Sequence, residues 1–331
     1  MKIAFFSTQP YDIVFFNKHK EAFGFEFDFF ETALTKETTS LVEQDAAVCV
    51  FVNDKLTADV IDALAERGVK IIALRCAGFN NVDLEAAKRN GIQVCRVPAY
   101  SPEAVAEHAL AMLLTLNRKT HKAYNRVREQ NFSLNGLLGF DVHNKTVGVI
   151  GTGNIGKAFC KIMLGFGCKV WAFDLIANKD LEAIGVEFKP LSEVLAADII
   201  SLHCPLNDQT KHIINDTTIA MMKKGVMIIN TSRGGLIDTK SVIKALKEAH
   251  IGYLGIDVYE QEEKLFFRDL SSDIIQDDLI QRLMSFPNVL ITAHQAFFTE
   301  DALSQISTTT LKNIKDFHEK GELENQAAFL V

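Results

Sequence analysis

Residues 147–157 read VGVIGTGNIGK, a short apolar strand that runs directly into glycines and then into a helical pattern. Three of the glycines have the spacing G-x-G-x-x-G: Gly151, Gly153 and Gly156. This spacing is typical of a dinucleotide-binding loop, in which the glycines allow a tight turn, a close approach of backbone to pyrophosphate and close packing of helix on strand. The helix is expected to begin near Asn154 and Ile155, so that its free N–H groups and positive dipole end face the phosphates.

The next strand supports the same prediction. Residues 168–174, CKVWAFD, end in Asp174, 23 residues after Gly151, where a carboxylate can accept a hydrogen bond from a ribose 2′-hydroxyl group. A glycine-rich turn without a ligand is the alternative, but strand, glycines, helix, strand and acid all stand in the order that dinucleotide binding requires. Because a carboxylate repels a 2′-phosphate, the sequence favours NAD over NADP, and Lys179 is the one nearby cation that opposes this preference.

Strands and helices are predicted to alternate along almost the whole chain, whose 331 residues are enough for two domains. Five strands are predicted in the first hundred residues and six after residue 145, with the sequences KIAFFS, FEFDFFE, AAVCVFV, KIIALRCAG and IQVCRVP, then VGVI, KVWAFD, DIISLH, VMIIN, YLGIDVY and NVLITA. Such alternation is typical of an α/β fold with mostly parallel sheets covered by helices on both faces. The phenylalanines of the N-terminal hundred residues are predicted to fill a core.

Two helices frame the second series of strands. The first has Ser101 as N-cap and Pro102 as its first residue. Its residues 104–116 are apolar nearly all round, which predicts burial between elements or between subunits. The last helix is predicted from EDALSQISTTTLKNIKDFHEKG, in which four apolar residues share one face: Leu303, Ile306, Ile314 and Phe317.

Composition excludes several classes of function. The net charge is −7 and there is no basic run, which argues against nucleic acid as a partner. No apolar stretch approaches the roughly 18 residues that span a bilayer, and the N-terminus lacks the pattern of a signal peptide. The six cysteines are scattered without a C-x-x-C pair, so no metal site is predicted, and this usage suits the reducing cytoplasm.

Polar residues follow the predicted strands of the second series. They are Cys204 and Pro205 after DIISLH, Thr231, Ser232 and Arg233 after VMIIN, Asp257, Glu260 and Glu262 in and after YLGIDVY, and His294 after NVLITA. Each has an ordinary explanation by itself, as a surface arginine, a solvated acid or a packed histidine. However, ligands bind at the carboxyl ends of parallel strands, so these side chains are expected at the rim that carries the glycine loop. Their convergence favours a catalytic set of Arg233, Glu262 and His294.

These three side chains suit the reduction of a 2-oxo acid by NADH, or its reverse. A fixed arginine can bind a carboxylate bidentately and stabilise charge on the adjacent carbonyl oxygen. A histidine can supply a proton to that oxygen, and a neighbouring glutamate can orient the ring and favour its protonated form.

With these motifs in place, the sequence resembles the D-specific 2-hydroxyacid dehydrogenase family over essentially its whole length. GTGNIG, NTSRGGLID, DVYEQE and AHQAF stand in the family's order and spacing. RCAGFNNVDL, VPAYSPEAVAEHA and LFFRDLSSDIIQDDLIQRL are most similar to members that interconvert pyruvate and D-lactate. The resemblance implies that Arg233 binds the substrate carboxylate, that Glu262 pairs with His294 as the acid–base group, and that Asp257 tunes this pair.

The resemblance also implies a substrate pocket and a domain layout. Backbone N–H groups of one loop would bind the carboxylate, and aromatic side chains would wall a small methyl pocket: Arg75, Cys76, Ala77 and Gly78 for the loop, and Tyr100, Phe297 and Phe51 for the wall. The fold would comprise two Rossmann-like or flavodoxin-like α/β domains with the active site in the cleft between them. Residues 1–100 and 299–331 would form the substrate domain and residues 101–298 the NAD domain. Relatives dimerise through the NAD domain, so a homodimer or homotetramer is expected.

Three alternatives remain open. A bulkier or glycerate-type 2-oxo acid could replace pyruvate. An NAD-sensing regulatory module, like the corepressor relatives of the family, would keep the same fold and triad, although the sequence has no basic extension or disordered tail that would serve as a docking arm. Cys76 differs from what relatives carry in the carboxylate loop, and we interpret it as a packed small residue rather than a redox group.

Overall fold

The computed structural model describes residues 1–331, apart from the side chains of residues 264 and 326. The chain divides into two compact units: a first unit of Met1–Ser101 and Phe298–Val331, and a second unit of Pro102–Phe297. The chain therefore leaves the first unit once and returns to it. Which ligand each unit binds stays a prediction.

The first unit contains a five-stranded parallel sheet with the strand order β2-β1-β3-β4-β5. Its strands are β1 (Lys2–Phe5), β2 (Glu26–Phe29), β3 (Ala47–Val50), β4 (Ile71–Leu74) and β5 (Gln93–Arg96). Three helices connect them: α1 (Pro10–Phe23), α2 (Ala58–Glu66) and α3 (Leu84–Arg89). All five strands that were predicted in this part of the chain are therefore confirmed.

A cluster of phenylalanines lies between β1, β2 and α1. The ring of Phe5 is centred 4.6 Å from that of Phe16, 5.4 Å from Phe27 and 5.0 Å from Phe29. Aromatic pairs at such distances add to the stabilisation that comes from burial. The prediction that phenylalanines fill this core is confirmed.

The second unit contains a seven-stranded parallel sheet with the order β12-β11-β10-β9-β6-β7-β8. Its strands are β6 (Thr146–Ile150), β7 (Lys169–Phe173), β8 (Glu187–Phe188), β9 (Ile199–Leu202), β10 (Val226–Asn230), β11 (Ile251–Ile256) and β12 (Val289–Ile291). The sequence predicted six of these seven strands. It missed β8, because a strand of only two residues shows no periodicity. The strand order reverses between β6 and β9, which is where such sheets bind ligands.

Eight helices accompany this sheet. They are α4 (Pro102–Arg118), α5 (Thr120–Arg128), α6 (Asn154–Gly165), α7 (Lys179–Ala183), α8 (Leu191–Val194), α9 (Asp216–Ala220), α10 (Thr239–Lys247) and α11 (Asp278–Met284). The apolar helix α4 packs inside its own unit, where Ala109, Met112 and Leu113 share a core with Val147 and Phe159. Burial between elements is therefore the alternative that the structure supports for α4.

The last helix, α12 (Glu300–Lys320), belongs to the first unit. Its Thr299 cap accepts a hydrogen bond from Ala302 N–H at 3.2 Å, and Gly321 ends it with φ of 75°. Leu311 and Ile314 are fully buried in the core that contains Phe5 and Phe16. The predicted amphipathic helix is confirmed. Among the described helices, none combines the length and apolar character needed to cross a membrane.

Candidate active site

The glycine loop between β6 and α6 has one glycine that faces open space. Gly151 has φ of +93°, and a Cβ atom there would lie 2.5 Å from the backbone N of Cys204. A Cβ atom on Gly156 would lie 2.0 Å from the carbonyl oxygen of Gly151. Nothing lies within 4 Å of a Cβ atom built on Gly153, the N-cap of α6. Gly151 and Gly156 are thus required by the fold itself, whereas Gly153 leaves room for a ligand to approach the backbone before Asn154 and Ile155.

Asp174 lies directly after β7 and is held against this loop. Its Oδ2 accepts hydrogen bonds from Thr152 N–H at 2.6 Å and from the Thr152 hydroxyl group at 2.7 Å, while Oδ1 accepts one from Leu175 N–H at 2.7 Å. Partial burial opposes ionisation, but the bonds from Thr152 and Leu175 outweigh it and hold the pKa of Asp174 below its ordinary value. A fixed negative charge therefore lies beside the glycine loop, which fits a ribose and disfavours a 2′-phosphate.

The loop after β10 presents Arg233. The buried Asn230 side chain accepts a hydrogen bond from Ser232 N–H at 3.0 Å and donates one to the Arg233 carbonyl oxygen at 2.9 Å. A Cβ atom on Gly234 would lie 2.1 Å from the carbonyl carbon of Tyr259, so the loop packs tightly on the chain that follows β11. The backbone at Arg233 is thereby fixed beside the segment that carries Glu262, and the Arg233 side chain donates from Nη1 to the Ser232 carbonyl oxygen at 2.7 Å.

The same loop touches the end of β9. The Ser232 hydroxyl group donates to the Cys204 carbonyl oxygen at 2.7 Å, and the Pro205 carbonyl oxygen accepts from the Thr210 hydroxyl group at 2.6 Å. The Thr231 hydroxyl oxygen is buried without a hydrogen-bond partner in the described part of the chain. A buried polar atom of this kind needs a partner, so Thr231 fits a ligand in this region.

His294 and Glu262 form an ion-pair geometry, as predicted for the acid–base group. His294 Nδ1 lies 2.9 Å from Glu262 Oε1, and each side chain is 18% exposed. Glu262 Oε2 also accepts a hydrogen bond from Tyr259 N–H at 2.8 Å, which fixes the carboxylate. Because Nδ1–H donates to the carboxylate, Nε2 is the ring atom left to exchange a proton with a substrate.

Asp257 anchors the loop that carries His294. Its carboxylate accepts hydrogen bonds from Thr292 Oγ1 at 2.5 Å, from Gln295 N–H at 2.9 Å and from Ala296 N–H at 2.9 Å. The His294 N–H group donates to the Asp257 carbonyl oxygen at 2.7 Å. His294 has φ of +53°, a left-handed conformation that is unfavourable for histidine and that these bonds stabilise.

Asp257 is fully buried, yet it stays ionised. Burial opposes its ionisation, but hydrogen bonds from His108, Thr292 and Gln295 outweigh that effect and hold the pKa of Asp257 below its ordinary value of 3.8. The negative charge of Asp257 therefore lies behind the His294 loop at neutral pH. This buried position makes Asp257 a support of the loop.

Glu260, the first glutamate of DVYEQE, has a different partner from Glu262. Its carboxylate lies 2.6 Å from His212 Nε2 and accepts a hydrogen bond from the Thr239 hydroxyl group at 3.0 Å. The two glutamates of the motif thus pair with different histidines, and of these two only Glu262 pairs with His294.

Two aromatic rings lie near His294. The ring of Phe297 is centred 6.5 Å from the imidazole and that of Phe267 5.8 Å from it. Phe267 was missed because it stands in LFFRDL, a segment without strand or helix periodicity. Phe297 was expected here.

In the first unit, the loop after β4 supports only part of the prediction. No hydrogen bond in the described part of the chain uses the N–H groups of Ala77 and Gly78, so both are available to a carboxylate. The N–H group of Arg75 is already bonded to the Val50 carbonyl oxygen at 3.1 Å, so the prediction that Arg75 offers this group to the substrate was wrong. Cys76 is buried, and its Sγ lies 3.3 Å from the Gly78 carbonyl oxygen, as a packed small residue would.

The side chain of Arg75 has a structural role. It is 1% exposed, and its Nη2 donates to the Ser7 carbonyl oxygen at 2.8 Å and to Asp12 Oδ2 at 3.2 Å. The ring of Phe51 lies 5.0 Å from the guanidinium carbon. Arg75 therefore ties the ends of β1 and β4 together. Among the described residues, no group of three or more histidine, cysteine, aspartate or glutamate side chains is arranged to bind a metal ion.

Comparisons with known proteins show what this chain is similar to. A family model described as the NAD binding domain of D-isomer specific 2-hydroxyacid dehydrogenase matches residues 110–296. 2-Hydroxyacid dehydrogenase homolog 1 of Schizosaccharomyces pombe is 57% identical over 319 residues, which cover 96% of this chain and 96% of that protein. D-lactate dehydrogenase of Escherichia coli is 53% identical over 323 residues, covering 97% of this chain and 98% of that protein.

The fold is also similar to solved structures. D-lactate dehydrogenase from Aquifex aeolicus, complexed with NAD and lactic acid, has a TM-score of 0.87 to this chain at 34% identity, and the match covers 99% of both chains. Likeness at this level extends over both units rather than the nucleotide-binding part alone. The prediction of an α/β fold with two parallel-sheet domains is confirmed.

Proposed function

Since the chain belongs to the D-isomer specific 2-hydroxyacid dehydrogenase family, we propose that it catalyses the reversible NADH-dependent reduction of pyruvate to D-lactate. The observation that carries the proposal is the pair formed by His294 Nδ1 and Glu262 Oε1 at 2.9 Å. Glu262 follows β11 and His294 follows β12. Both strands belong to the sheet in which β6 leads into the glycine loop.

The glycine loop and its neighbours are the proposed NAD site. Gly151, Gly153 and Gly156 shape the loop, and the N–H groups of Asn154 and Ile155 bind pyrophosphate. Asp174 binds the ribose hydroxyl groups. The nicotinamide side is assigned to residues at the ends of β9 and β10: Cys204, Pro205, Thr231 and Ser232. Asp257, which was expected at the same rim after β11, is fully buried and supports the His294 loop instead. Bound NADH supplies the hydride that reduces the carbonyl carbon.

The protein's own side chains then perform the acid–base part of the reaction. Arg233 binds the substrate carboxylate through two parallel N–H donors and stabilises charge on the adjacent carbonyl oxygen. His294 gives the proton on Nε2 to that oxygen, while Glu262 accepts the hydrogen bond from Nδ1–H and stabilises the positively charged ring. In lactate oxidation the same Nε2 takes the proton back, so His294 must then start neutral.

Further groups are proposed to set the substrate's size. The N–H groups of Ala77 and Gly78, in the loop with Cys76, are donors for a carboxylate. Tyr100 and Phe297 are proposed as apolar walls around the methyl group of pyruvate. The apolar ring of Phe297 near His294 supports a small, uncharged substituent at this position.

We also propose a homo-oligomer that forms through α5 and the segment after it. No residue of α5 is buried in the described chain. Large apolar side chains of this region are strongly exposed: Tyr124 by 62%, Phe132 by 73%, Leu134 by 81% and Leu138 by 88%. An apolar surface of this kind is typical of an interface. Light scattering should give a dimer or tetramer for the wild type and a monomer for the double variant Leu134→Asp and Leu138→Asp, and a monomeric wild type would contradict the proposal.

A reducing compartment such as the cytoplasm is proposed for the enzyme. The six cysteines are all free and buried, and the structure forms no disulfide among the described residues. A thiol titration should find six reduced cysteines only after unfolding. Detection of a disulfide in protein isolated from its cell would contradict this proposal.

A substrate panel tests the proposed reaction. Initial rates would be measured with pyruvate, phenylpyruvate, hydroxypyruvate and glyoxylate, each with NADH and with NADPH, followed by chiral analysis of the lactate formed. We expect the highest kcat/KM for pyruvate with NADH, and D-lactate as the product. A higher kcat/KM for another acid would refute pyruvate as substrate, whereas no turnover with any acid would favour an NAD-sensing regulatory module.

A further inference from the structure

Asp257 is a buried anion whose partners include a side chain outside the proposed catalytic set. Its carboxylate is 0% exposed, and the only described ion pair that it forms is with His108, whose Nε2 lies 3.4 Å from Asp257 Oδ1. His108 comes from α4, 184 residues before its other contact, Thr292. A buried carboxylate needs hydrogen-bond donors on every side, so each donor that faces it contributes to holding its position.

The distances assign the proton on His108. Thr292 Oγ1 lies 2.5 Å from Asp257 Oδ1, so the single hydroxyl proton of Thr292 belongs to this bond. His108 Nε2 lies 3.1 Å from the same Oγ1, which can therefore only accept a hydrogen bond. His108 must carry a proton on Nε2 and donates it to Thr292, while Asp257 Oδ1, at 3.4 Å, is a second and longer contact of the same N–H group. The result is a chain of donors that runs from His108 through Thr292 to Asp257.

We propose that His108 is a positioning residue for His294 and acts through Thr292 and Asp257, an inference that rests on the proposed function. The carbonyl and the carboxylate of Asp257 together accept the N–H groups of His294, Gln295 and Ala296. These bonds keep His294 in its left-handed conformation with its ring toward Glu262. Loss of the N–H donor on His108 would leave the Thr292 hydroxyl oxygen without a donor. The hydrogen bonds that hold the His294 loop would then be free to shift.

Two substitutions of His108 separate hydrogen bonding from packing. His108→Leu keeps most of the volume and removes the donor, whereas His108→Gln can place an amide N–H close to the position of Nε2. We expect His108→Leu to lower kcat for pyruvate reduction about 10-fold, less than the roughly 100-fold that a 1 Å misplacement of a catalytic group can cost. His108→Gln should recover kcat to within about 3-fold of wild type. The Kd for NADH should stay unchanged in both variants.

A pH profile distinguishes positioning from simple loss of stability. Burial raises the pKa of Asp257, and the hydrogen-bond network that includes His108 lowers it. Removal of the His108 donor therefore raises the pKa of Asp257. The titratable groups that face Asp257 in this network are His108 on α4 and His294 after β12, and Glu262 reaches it through His294. The fall of kcat/KM on the acid side should therefore move to higher pH in His108→Leu and return in His108→Gln.

Thr292→Val provides a second test if His108→Leu does not fold. This variant has nearly the same shape, lacks the hydroxyl bridge, and should show the same lower kcat and the same displaced pH profile. Wild-type kcat and pH profile in His108→Leu, or in Thr292→Val when only that variant folds, would overturn the inference. A lower melting temperature without a change in kcat or pH profile would also overturn it.

NMR of protein labelled with ¹⁵N-histidine separates this inference from the proposed function. The ring signals of His294, identified by their loss in His294→Gln, should shift in His108→Leu and return in His108→Gln. If these signals shift and return as expected but the wild type reduces no 2-oxo acid, the proposed function is refuted and the link from His108 to His294 is supported. Unchanged His294 signals together with normal pyruvate turnover would refute the link alone.

Discussion

Asp257→Asn removes one negative charge from the second unit with almost no change in shape. In the wild type, one carboxylate oxygen accepts from Thr292 and Gln295 and the other accepts from Ala296 N–H. The amide of asparagine has only one acceptor oxygen, so its NH₂ group must face one of these donors. At least one buried N–H group would then be left without a partner.

The size of the effect follows from these bonds. An unsatisfied buried N–H group costs about 1–3 kcal/mol, and each remaining bond weakens because its acceptor is no longer charged. We therefore expect the free energy of unfolding of the second unit to fall by about 2–4 kcal/mol, a large share of the roughly 5–15 kcal/mol that a native domain has. The loss of support for the left-handed His294 should lower kcat by about 100-fold.

Trp171 makes this measurement direct, since it is the single tryptophan of the chain and lies on β7 in the second unit. Urea unfolding followed by its fluorescence would report the stability of that unit. Asp198→Asn is a matched control at the opposite, amino-terminal edge of the same sheet, where Asp198 accepts from Thr146 N–H at 2.9 Å. We expect the control to lose stability and keep wild-type kcat.

The stability difference should also depend on pH. Because the pKa of Asp257 is lowered by folding, its contribution to stability is fully present above the ordinary value of 3.8 and is lost as the pH falls through the lowered pKa. The gap between wild type and Asp257→Asn should be constant near neutral pH and narrow below 3.8. Wild-type kcat in Asp257→Asn, or a gap that widens on acidification, would refute the reasoning.

Four further substitutions probe the cofactor and substrate groups. Gly153→Ala should weaken NADH binding by about 10-fold or more without loss of stability, because its Cβ atom meets nothing within 4 Å. Gly156→Ala should lower the free energy of unfolding by about 1–3 kcal/mol, because its Cβ atom would lie 2.0 Å from a carbonyl oxygen. Fluorescence titration and melting curves would check the pair, and equal behaviour of both variants would contradict it. Asp174→Ala should raise kcat/KM with NADPH relative to NADH, as measured by initial rates, and an unchanged ratio would exclude Asp174 as the determinant. Arg233→Lys should raise KM for pyruvate and lower kcat together, by about 10-fold or more each, since a point charge replaces two parallel donors; an unchanged KM would argue against carboxylate binding.

Much of the site was predictable because its residues stand at the ends of strands. Parallel strands bring their carboxyl ends to one edge, so a residue's place in the sequence relative to its strand also gives its place in space. This is why the His294–Glu262 pair and the glycine loop could be predicted without coordinates. The edge strand β8 could not, since two residues carry no periodicity.

The supporting contacts were missed for a different reason. His108 meets Thr292 across 184 residues of sequence, and both residues stand inside apolar segments that predict only packing. Arg75 was misassigned because its loop matches a known motif, while the partner that engages its N–H group, Val50, lies on a neighbouring strand. Such long-range hydrogen bonds depend on how the elements pack, which a motif does not specify.

The turnover number of His294→Gln tests the central claim most directly. Glutamine can keep a hydrogen bond to Glu262 but cannot deliver a proton as imidazole does. We predict that kcat for pyruvate reduction falls at least about 100-fold, within the range that general acid catalysis contributes, while the Kd for NADH stays within about 2-fold of wild type. Wild-type kcat in this variant would contradict the assignment of His294 as the proton donor and, with it, the proposed mechanism.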